Sequence, residues 1–566
     1  EIFNNEQRPF FVENKNIFDY RYAGNRDNLF FSRRIGRSPQ VYSQNPENSY
    51  IDRPQNTTIL GAAKFSGKTK KGWSIGILES MTSKEFSEIN TNGVISELLV
   101  EPFTNYFVGR VQKDMNKRNT FLGGIFTATN RFLNEATSEL REAAYSGGID
   151  FRHQWKDRTF YLQTNVVMSH VKGSRESILA TQQSLTHLFD RVDATHVQLD
   201  PNRTSLTGTG GLVEFGKDGG QNWNYDMGFK WSSPELELND IGFLKRADQK
   251  FQFFNLKYRT AKPVSIFRNI NFDFRQFNAY DFEGNHNRVQ YQLRTRLRFL
   301  NNSVISSWLS YRPRIYDNTA LRGGPRWRFS KENFKSLFFW SDDRKKFNTK
   351  IGVMHSQSED NNMSFLKFEV DFNYQILDAL NVSLATEYSK RPNKTQYITQ
   401  KDFLTTKRYI LGTIDNQTFR STFRINYTIN PNLSLQYYAQ PFISRGRYSD
   451  FKYVTDATAN RLSDRFQLYN NTQVQFDQGT YYFDDNLDGL NDYNMSNPDF
   501  SIVQFNSNLV LRWEYIPGSE LFLVWSQGIR TDVSLENGLI EGAQNGILEH
   551  QPKNIFLIKA TYRFNL

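Results

Sequence analysis

The sequence predicts an all-β protein, a large transmembrane antiparallel β-barrel of about 20 to 22 strands with long extracellular loops. Three observations carry this: two-residue alternation of apolar and polar side chains, segments too long for soluble strands, and connections that alternate between short and long. Composition agrees. Hydrophobic residues make up 38% of the 566, yet aromatic residues reach 15%, with 49 Phe and 28 Tyr, a bias toward strand-forming side chains.

The alternation is clearest at the C-terminus. Phe556, Ile558, Ala560, Tyr562, Phe564 and Leu566 share one face, and Lys559, Thr561, Arg563 and Asn565 share the other. The split recurs with Val503, Phe505, Leu509, Leu511, Trp513 and Tyr515 against Gln504, Asn506, Asn508, Arg512 and Glu514. Upstream, Phe423, Ile425, Tyr427 and Ile429 oppose Thr422, Arg424, Asn426 and Thr428, and Tyr291, Leu293, Leu297 and Phe299 oppose Gln292, Arg294, Arg296 and Arg298. Such strands want lipid on one face and water on the other. Soluble strands run ~5–6 residues and a tilted membrane strand ~9–11; these segments run for roughly eight to thirteen.

The mean hydropathy of −0.64 does not oppose a membrane location, because alternating strands average out as polar. The longest apolar run, Leu521 to Trp525, excludes a spanning helix, which needs ~20 apolar residues.

Short turns are expected at Ser66 to Lys71, Asn116 to Asn119, Lys156 to Arg158, Lys217 to Gly220, Asn301 to Ser303, Asn430 to Asn432 and Pro517 to Ser519. Long connections are expected at Lys172 to Ser205, Arg391 to Thr406, Ser449 to Pro498 and Asp532 to Pro552. Short turns belong at the periplasmic end and long loops outside. Trp73, Trp155, Trp223, Trp340, Trp513 and Trp525 lie near turns or strand ends, where an interfacial girdle is expected. From Thr57 onward there are twenty-one candidate strands, and a chain with both ends periplasmic needs an even number.

Residues 1–55 lack a clean period and read as a periplasmic or inward-folded segment, with room for a first strand; residues 56–566 form the barrel. Ile178, Leu179, Gln182, Leu185, Leu188 and Phe189 recur at helical spacing after Ser174, inside a predicted outer loop.

Several strings resemble a known family: PFFVENKNIF and NLFFSRRIGRSP between Pro9 and Pro39, the hairpin ILGAAKFSGKTKKGWSIGIL, ELELNDIGFLKRAD from Glu235 to Asp248, NPDF from Asn497 to Phe500, and LVLRWEYIPGSELFLVWSQG. They are similar to Bacteroidota outer-membrane proteins of the domain-of-unknown-function 5916 type. The resemblance implies an outer-membrane barrel that usually follows an N-terminal sandwich like the family-nine carbohydrate-binding modules. The sequence opens where the barrel region of the family is expected to begin, so the resemblance to the sandwich, and with it a carbohydrate-binding role, has no residues here to rest on. The resemblance also implies the outer membrane of a Gram-negative bacterium, with its lipid as the surrounding partner.

Asp484, Asn486, Asp488, Gly489 and Asp492 match a D-x-N-x-D-G-x-x-D calcium loop, in which alternating oxygens converge around a glycine-permitted turn. Structural Ca²⁺ held by Asp484, Asn486, Asp488 and Asp492 is one reading; a solvated Asx-rich turn is the other. Gly67, Lys68 and Thr69 give a GKT, but the earlier phosphate-loop glycine falls on Ala62 and no helix follows, so a tight turn is expected.

With no Cys, disulfides and thiolate chemistry are excluded. The seven His lack ligand spacing and carboxylate pairs such as Glu235 and Glu237 are unremarkable, so no enzyme is expected. The net charge of +11 is spread among acidic residues, which argues against nucleic acid.

An inward row of Arg294, Arg296 and Arg298, with Arg275, Lys257, Arg259 and Arg424, places cations in the lumen. They would select anions or acidic glycans, or hold a plug through salt bridges to Asp273, Glu369 and Asp371. The functional expectation is a transport or channel barrel for solutes or glycans. The alternative is a structural or accessory subunit of a larger secretion, assembly or uptake complex, with other outer-membrane or periplasmic proteins as partners.

Overall fold

The computed structural model describes residues 6–23, 27–41, 49–220 and 222–564. Twenty-two antiparallel strands follow one another around a closed barrel, from Ile59–Lys68 to Lys553–Ala560. One of the twenty-two is slight: Phe466–Leu468 pairs only with the far end of Leu433–Val454, which itself pairs directly with Phe500–Ile516. No described helix is long and apolar enough to cross a membrane. The chain divides into two compact units, Glu1–Leu256 with Arg275–Val289 and Tyr316–Trp327, and Lys257–Phe274 with Gln290–Ile315 and Arg328–Leu566.

In the first unit the register sorts side chains by face. Phe126 stands opposite Gly147, and Gly147 opposite Met168; Phe126 and Met168 are exposed, as is Ile149 at 64%. One residue along, Val108, Thr127, Ser146 and Ser169 stand in register and are buried. Large exposed apolar side chains in unbroken rows would aggregate in water and fit hydrocarbon; the other face is inward.

Hairpins close tightly at one end. Asn116, Lys117 and Arg118 are left-handed in succession, and so are Lys156, Asp157 and Arg158, a conformation that side chains adopt at a cost of about 1–2 kcal/mol per residue. The turn expected at the GKT falls just past it, since Gly67 and Lys68 remain paired in the strand: Gly72 N–H donates to the Thr69 carbonyl at 3.0 Å and Trp73 N–H to Thr69 Oγ1 at 3.1 Å.

In the second unit the expected long loop between Arg391 and Thr406 is absent. Leu380–Phe403 and Thr406–Asn430 instead continue as paired strands of 24 and 25 residues, joined by a two-residue tip with Leu404 at positive φ. The pairing tolerates Pro392 and is irregular at Asn393/Gln396 and Tyr397/Thr399, where extra residues bulge. The Asp532–Pro552 connection carries a helix, Leu539–Leu548, whose glycines let it lie against Val503.

The helix expected after Ser174 forms, but spans only Arg175–Gln183. Ser174 Oγ accepts the Ser177 N–H at 3.1 Å, capping it. Ile178 and Gln182 are buried, whereas Leu185 is exposed and Leu188 and Phe189 lie in the turn beyond.

Candidate functional site

The inward wall of the first unit is covered by two pieces of chain, the N-terminal segment and the loop 233–248. Phe11, Phe18, Tyr20, Tyr22, Leu29 and Ile35 from the first form one core with Leu236, Leu238, Ile241, Leu244 and Ala247 from the second, and with wall residues Leu78, Tyr106, Val108, Ile125 and Val167. Each large side chain buried there stabilises docking by about 1.5–3 kcal/mol. The segment begins with two single-turn helices, Pro9–Val12 and Lys15–Phe18, hinged at left-handed Asn14.

Glycines on inward positions of the wall set the register of docking. A Cβ at Gly76 would sit 2.9 Å from Ile17 and Phe18, and one at Gly148 would lie 2.5 Å from Tyr20 Oη; at Gly210 it would strike Tyr22 and at Gly208 Leu236. Into these notches the aromatic rings bring hydroxyls. Tyr20 donates to the Ile149 carbonyl at 3.0 Å and lies 3.1 Å from that of Val166; Tyr22 reaches the Trp231 carbonyl and Ser232 Oγ, the latter at 2.7 Å. Asp27 pairs with Lys230 of the wall at 2.5 Å, and Arg110 lies 5.3 Å over the Tyr20 ring while its guanidinium grips Asp150 at 2.6 and 2.7 Å.

The loop 233–248 is anchored by charge. Asp240 takes Arg131 at 2.8 Å and Arg141 at 3.0 Å, and Glu237 takes His187 at 3.0 Å. The other ring nitrogen of His187 lies 2.6 Å from the Pro234 carbonyl, so the ring bridges two points of the same loop. Burial alone would raise both carboxyls. The Arg141 charge and the His187 bond outweigh it at Glu237, which falls to about 2, and Arg141 and Arg131 hold Asp240 lower still.

Between the segment and the loop lies a cavity of about 1170 Å³, lined among others by Arg8, Arg33, Arg34, Arg37 and Phe243. Among the described residues Glu6 is its only acidic lining residue. Burial opposes ionisation there, but Arg8 and Ser32 hydrogen bonds bring Glu6 to about 2, so it is spent on Arg8 at 2.8 and 2.9 Å.

Two of the arginines expected to line the lumen stack on rings of the wall. Arg294 lies over the Trp308 ring at 4.6 Å and Arg296 over Trp340 at 5.3 Å, stacked against the wall. Trp340 therefore does not join an outward girdle. It stands opposite Lys350, one residue from exposed Phe339, and so faces inward; proximity to a turn did not fix its face. Arg298 shares a small cavity with Arg296, Trp340, Lys350 and Asp371. Arg275 is half-buried on the strand Phe267–Tyr280 in the first unit. Glu369 and Asp371 engage lysines of the wall: Lys367 holds Glu369 at 3.1 Å and Glu387 at 2.6 Å, Lys350 holds Glu369 and Asp371, and Arg420 holds Glu387 at 2.8 Å.

Asp484, Asn486, Asp488 and Asp492 lie in one loop, but their oxygens turn onto backbone N–H groups. Asp484 accepts from Asp488 at 3.1 Å and Gly489 at 2.9 Å, Asp488 from Leu490 at 2.9 Å and Asp492 from Asp485 at 2.7 Å. Among the described residues no three acidic or histidine side chains converge as a metal cage would require, so in this arrangement the donor set does not fit a cation. Asp484→Ala removes the acceptor of two N–H groups and is expected to cost about 1–2 kcal/mol locally, read as faster proteolytic nicking between 484 and 492; an unchanged rate would show that these bonds do not hold the turn.

The profile of the family described as "Domain of unknown function (DUF5916)" matches residues 1–565. The chain belongs to the DUF5916 family. No curated protein matches it. Among solved structures, this DUF5916 chain is similar to the siderophore receptor PirA from Acinetobacter baumannii, with 10% identity, TM-score 0.33, and coverage of 81% of this chain and 76% of that one. It is also similar to a mutant of the ferric enterobactin receptor PfeA from Pseudomonas aeruginosa in complex with enterobactin, with 7% identity, TM-score 0.32, and coverage of 81% and 76%. The strings shared with the family meet in space: the Pro9–Pro39 stretch and the Glu235–Asp248 stretch are the two pieces that build the covered inner wall.

Proposed function

We propose that this DUF5916 chain is an outer-membrane transport barrel of a Gram-negative bacterium, passing solutes or glycans under the control of its N-terminal segment. The observation that carries the reading is the seating of Phe18, Tyr20 and Tyr22 in the glycine notches at 76, 148 and 210. Inward glycine in a strand has no packing value of its own and weakens the sheet; close approach of another part of the chain accounts for it. An inserted segment that restricts passage is how barrels of this size keep a membrane tight.

In planar bilayers the reconstituted chain is expected to carry a small ion current that rises several-fold when residues 6–41 are removed. Complete absence of current from both forms overturns transport.

A second reading, an accessory subunit, is favoured by the separate three-stranded sheet of Ser49–Asp52, Glu85–Thr91 and Val94–Glu101. It leaves Tyr50, Val94 and Ile95 exposed at 73%, 70% and 66%, a surface suited to a partner protein. Under that reading the chain co-purifies with a fixed companion in mild detergent; elution alone counts against it.

A further inference from the structure

We propose that the arginine-lined cavity of the first unit is a binding site for an oxyanion-bearing solute, carboxylate or phosphate, of sugar size or larger. This deepens the transport reading and rests on it.

Arg34, Arg37, Arg131 and Arg141 are gathered around the cavity and the smaller space of about 300 Å³ that shares Gln40 and Leu140 with it. Of the carboxylates beside them, Glu101, Glu237 and Asp240 are already engaged and Glu6 is held by Arg8, while Glu139 also lines the smaller space. Glu101 takes the backbone and side-chain N–H of Gln40, both at 2.9 Å, Glu237 takes His187, and Asp240 takes Arg131 and Arg141. Arg34 donates to the Gly242 carbonyl at 3.0 Å and to Asn239 at 3.2 Å, and Arg37 to the side-chain oxygen of Gln40.

Two buried guanidinium groups keep unused donors. Arg37 Nε, and Nε and Nη2 of Arg131, have no acceptor among the described residues, and the Arg131 side chain is only 1% exposed. Leaving such donors dry costs about 1–3 kcal/mol each. Burial, with the neighbouring Arg131 and Arg34 charges, also depresses Arg37. An oxyanion entering the cavity supplies acceptors in the planar arrangement that guanidinium groups match. The volume exceeds what one small ion needs and falls in the range of sites for sugar-sized ligands. Phe31 and Phe243 on the lining offer an apolar surface beside the charge.

The test uses the intact chain in detergent with trigalacturonate and pyrophosphate as anionic probes and maltotriose as the neutral one. Both anions are expected to protect Arg37 from phenylglyoxal modification, read by peptide mass spectrometry, and maltotriose is not. Arg37→Gln is expected to weaken the tighter anion about tenfold, the worth of a lost charge-assisted bond. Protection by trigalacturonate alone assigns a sugar acid, and by pyrophosphate alone a phosphate ligand. Equal protection by maltotriose, no protection at millimolar probe, or unchanged affinity in folded Arg37→Gln overturns the site. Should that variant fail to give the compact band of a folded barrel on unheated gels, the wild-type protection pattern decides. Bilayer current separates the two readings: a protected Arg37 in a chain that never conducts removes transport and leaves the anion site, and the converse removes only the site.

Discussion

Asp240→Ala is expected to release the loop 233–248 and the N-terminal segment that packs on it, at a cost of about 3–5 kcal/mol. The substitution leaves Arg131, which is almost fully buried, and Arg141 without their shared carboxylate, and an uncompensated buried charge is the expensive product of breaking such a pair. Because Leu236, Leu238, Ile241 and Leu244 of the same loop sit in one core with Phe18, Tyr20 and Tyr22, the loss spreads to both pieces. Limited proteolysis should cut within 6–41 and 233–248 while the wall strands stay protected, and melting should begin at a lower temperature. Wild-type protection of both stretches in Asp240→Ala would show that the ion network is dispensable.

The same carboxyls set a pH dependence. Glu237 and Asp240 titrate lower when folded than their usual range near 4, so their contribution is complete above that range and disappears as pH falls toward about 2. Wild-type docking should loosen across that window, and Asp240→Ala should show a shallower acid limb. An acid limb of equal steepness in both would assign the transition to other groups.

Much of the wall was legible because its physics repeats: each strand must offer lipid one face and each short turn must reverse the chain in a few residues. Tyr291, Leu293 and Phe339, or Asn116 to Asn119, announce themselves by spacing alone. What escaped is what does not repeat. The hairpin through Arg391 to Thr406 carries charge and Pro392 because its outer part continues the ladder where side chains need not satisfy lipid, so polarity there imitates a loop. Trp340 sits near a turn like the outward tryptophans, yet parity along its strand, not proximity to the turn, decides its face. For the lumen row Arg294 and Arg296, spacing along the strand does not show the Trp308 and Trp340 rings on which they stack. The candidate site was the least legible, since the notches and the aromatic residues that fill them lie more than fifty residues apart. One signal was available: Gly76, Gly148, Gly208 and Gly210 all fall on the inward parity of their strands, where a glycine implies that something else occupies the space.

Gly148 offers the sharpest test of that implication, because its neighbour Gly147 is a built-in control. Both lie in the strand Arg141–Trp155, both have ordinary strand backbone, and valine raises strand propensity at either. They differ in face. A Cβ at Gly147 meets nothing nearer than the Ile125 carbonyl at 3.5 Å, an ordinary contact, whereas at Gly148 it lies 2.5 Å from Tyr20 Oη and 2.7 Å from the ring. Gly148→Val must displace Tyr20, adding about 1–3 kcal/mol of overpacking to about 1 kcal/mol for the lost Ile149 hydrogen bond. Undocking by about 2–4 kcal/mol shifts the seated population on the order of 30- to 800-fold. Gly148→Val should therefore raise bilayer current and expose residues 6–23 to protease, while Gly147→Val leaves both as in the wild type. Removing the ring with Tyr20→Ala in the Gly148→Val background should restore much of the seating, since the contacts under 3.0 Å are with that side chain and the next, the Val166 carbonyl, lies at 3.1 Å. Equal behaviour of the two valine variants would mean that strand propensity rather than the notch governs the segment, and the plug reading would fall with it.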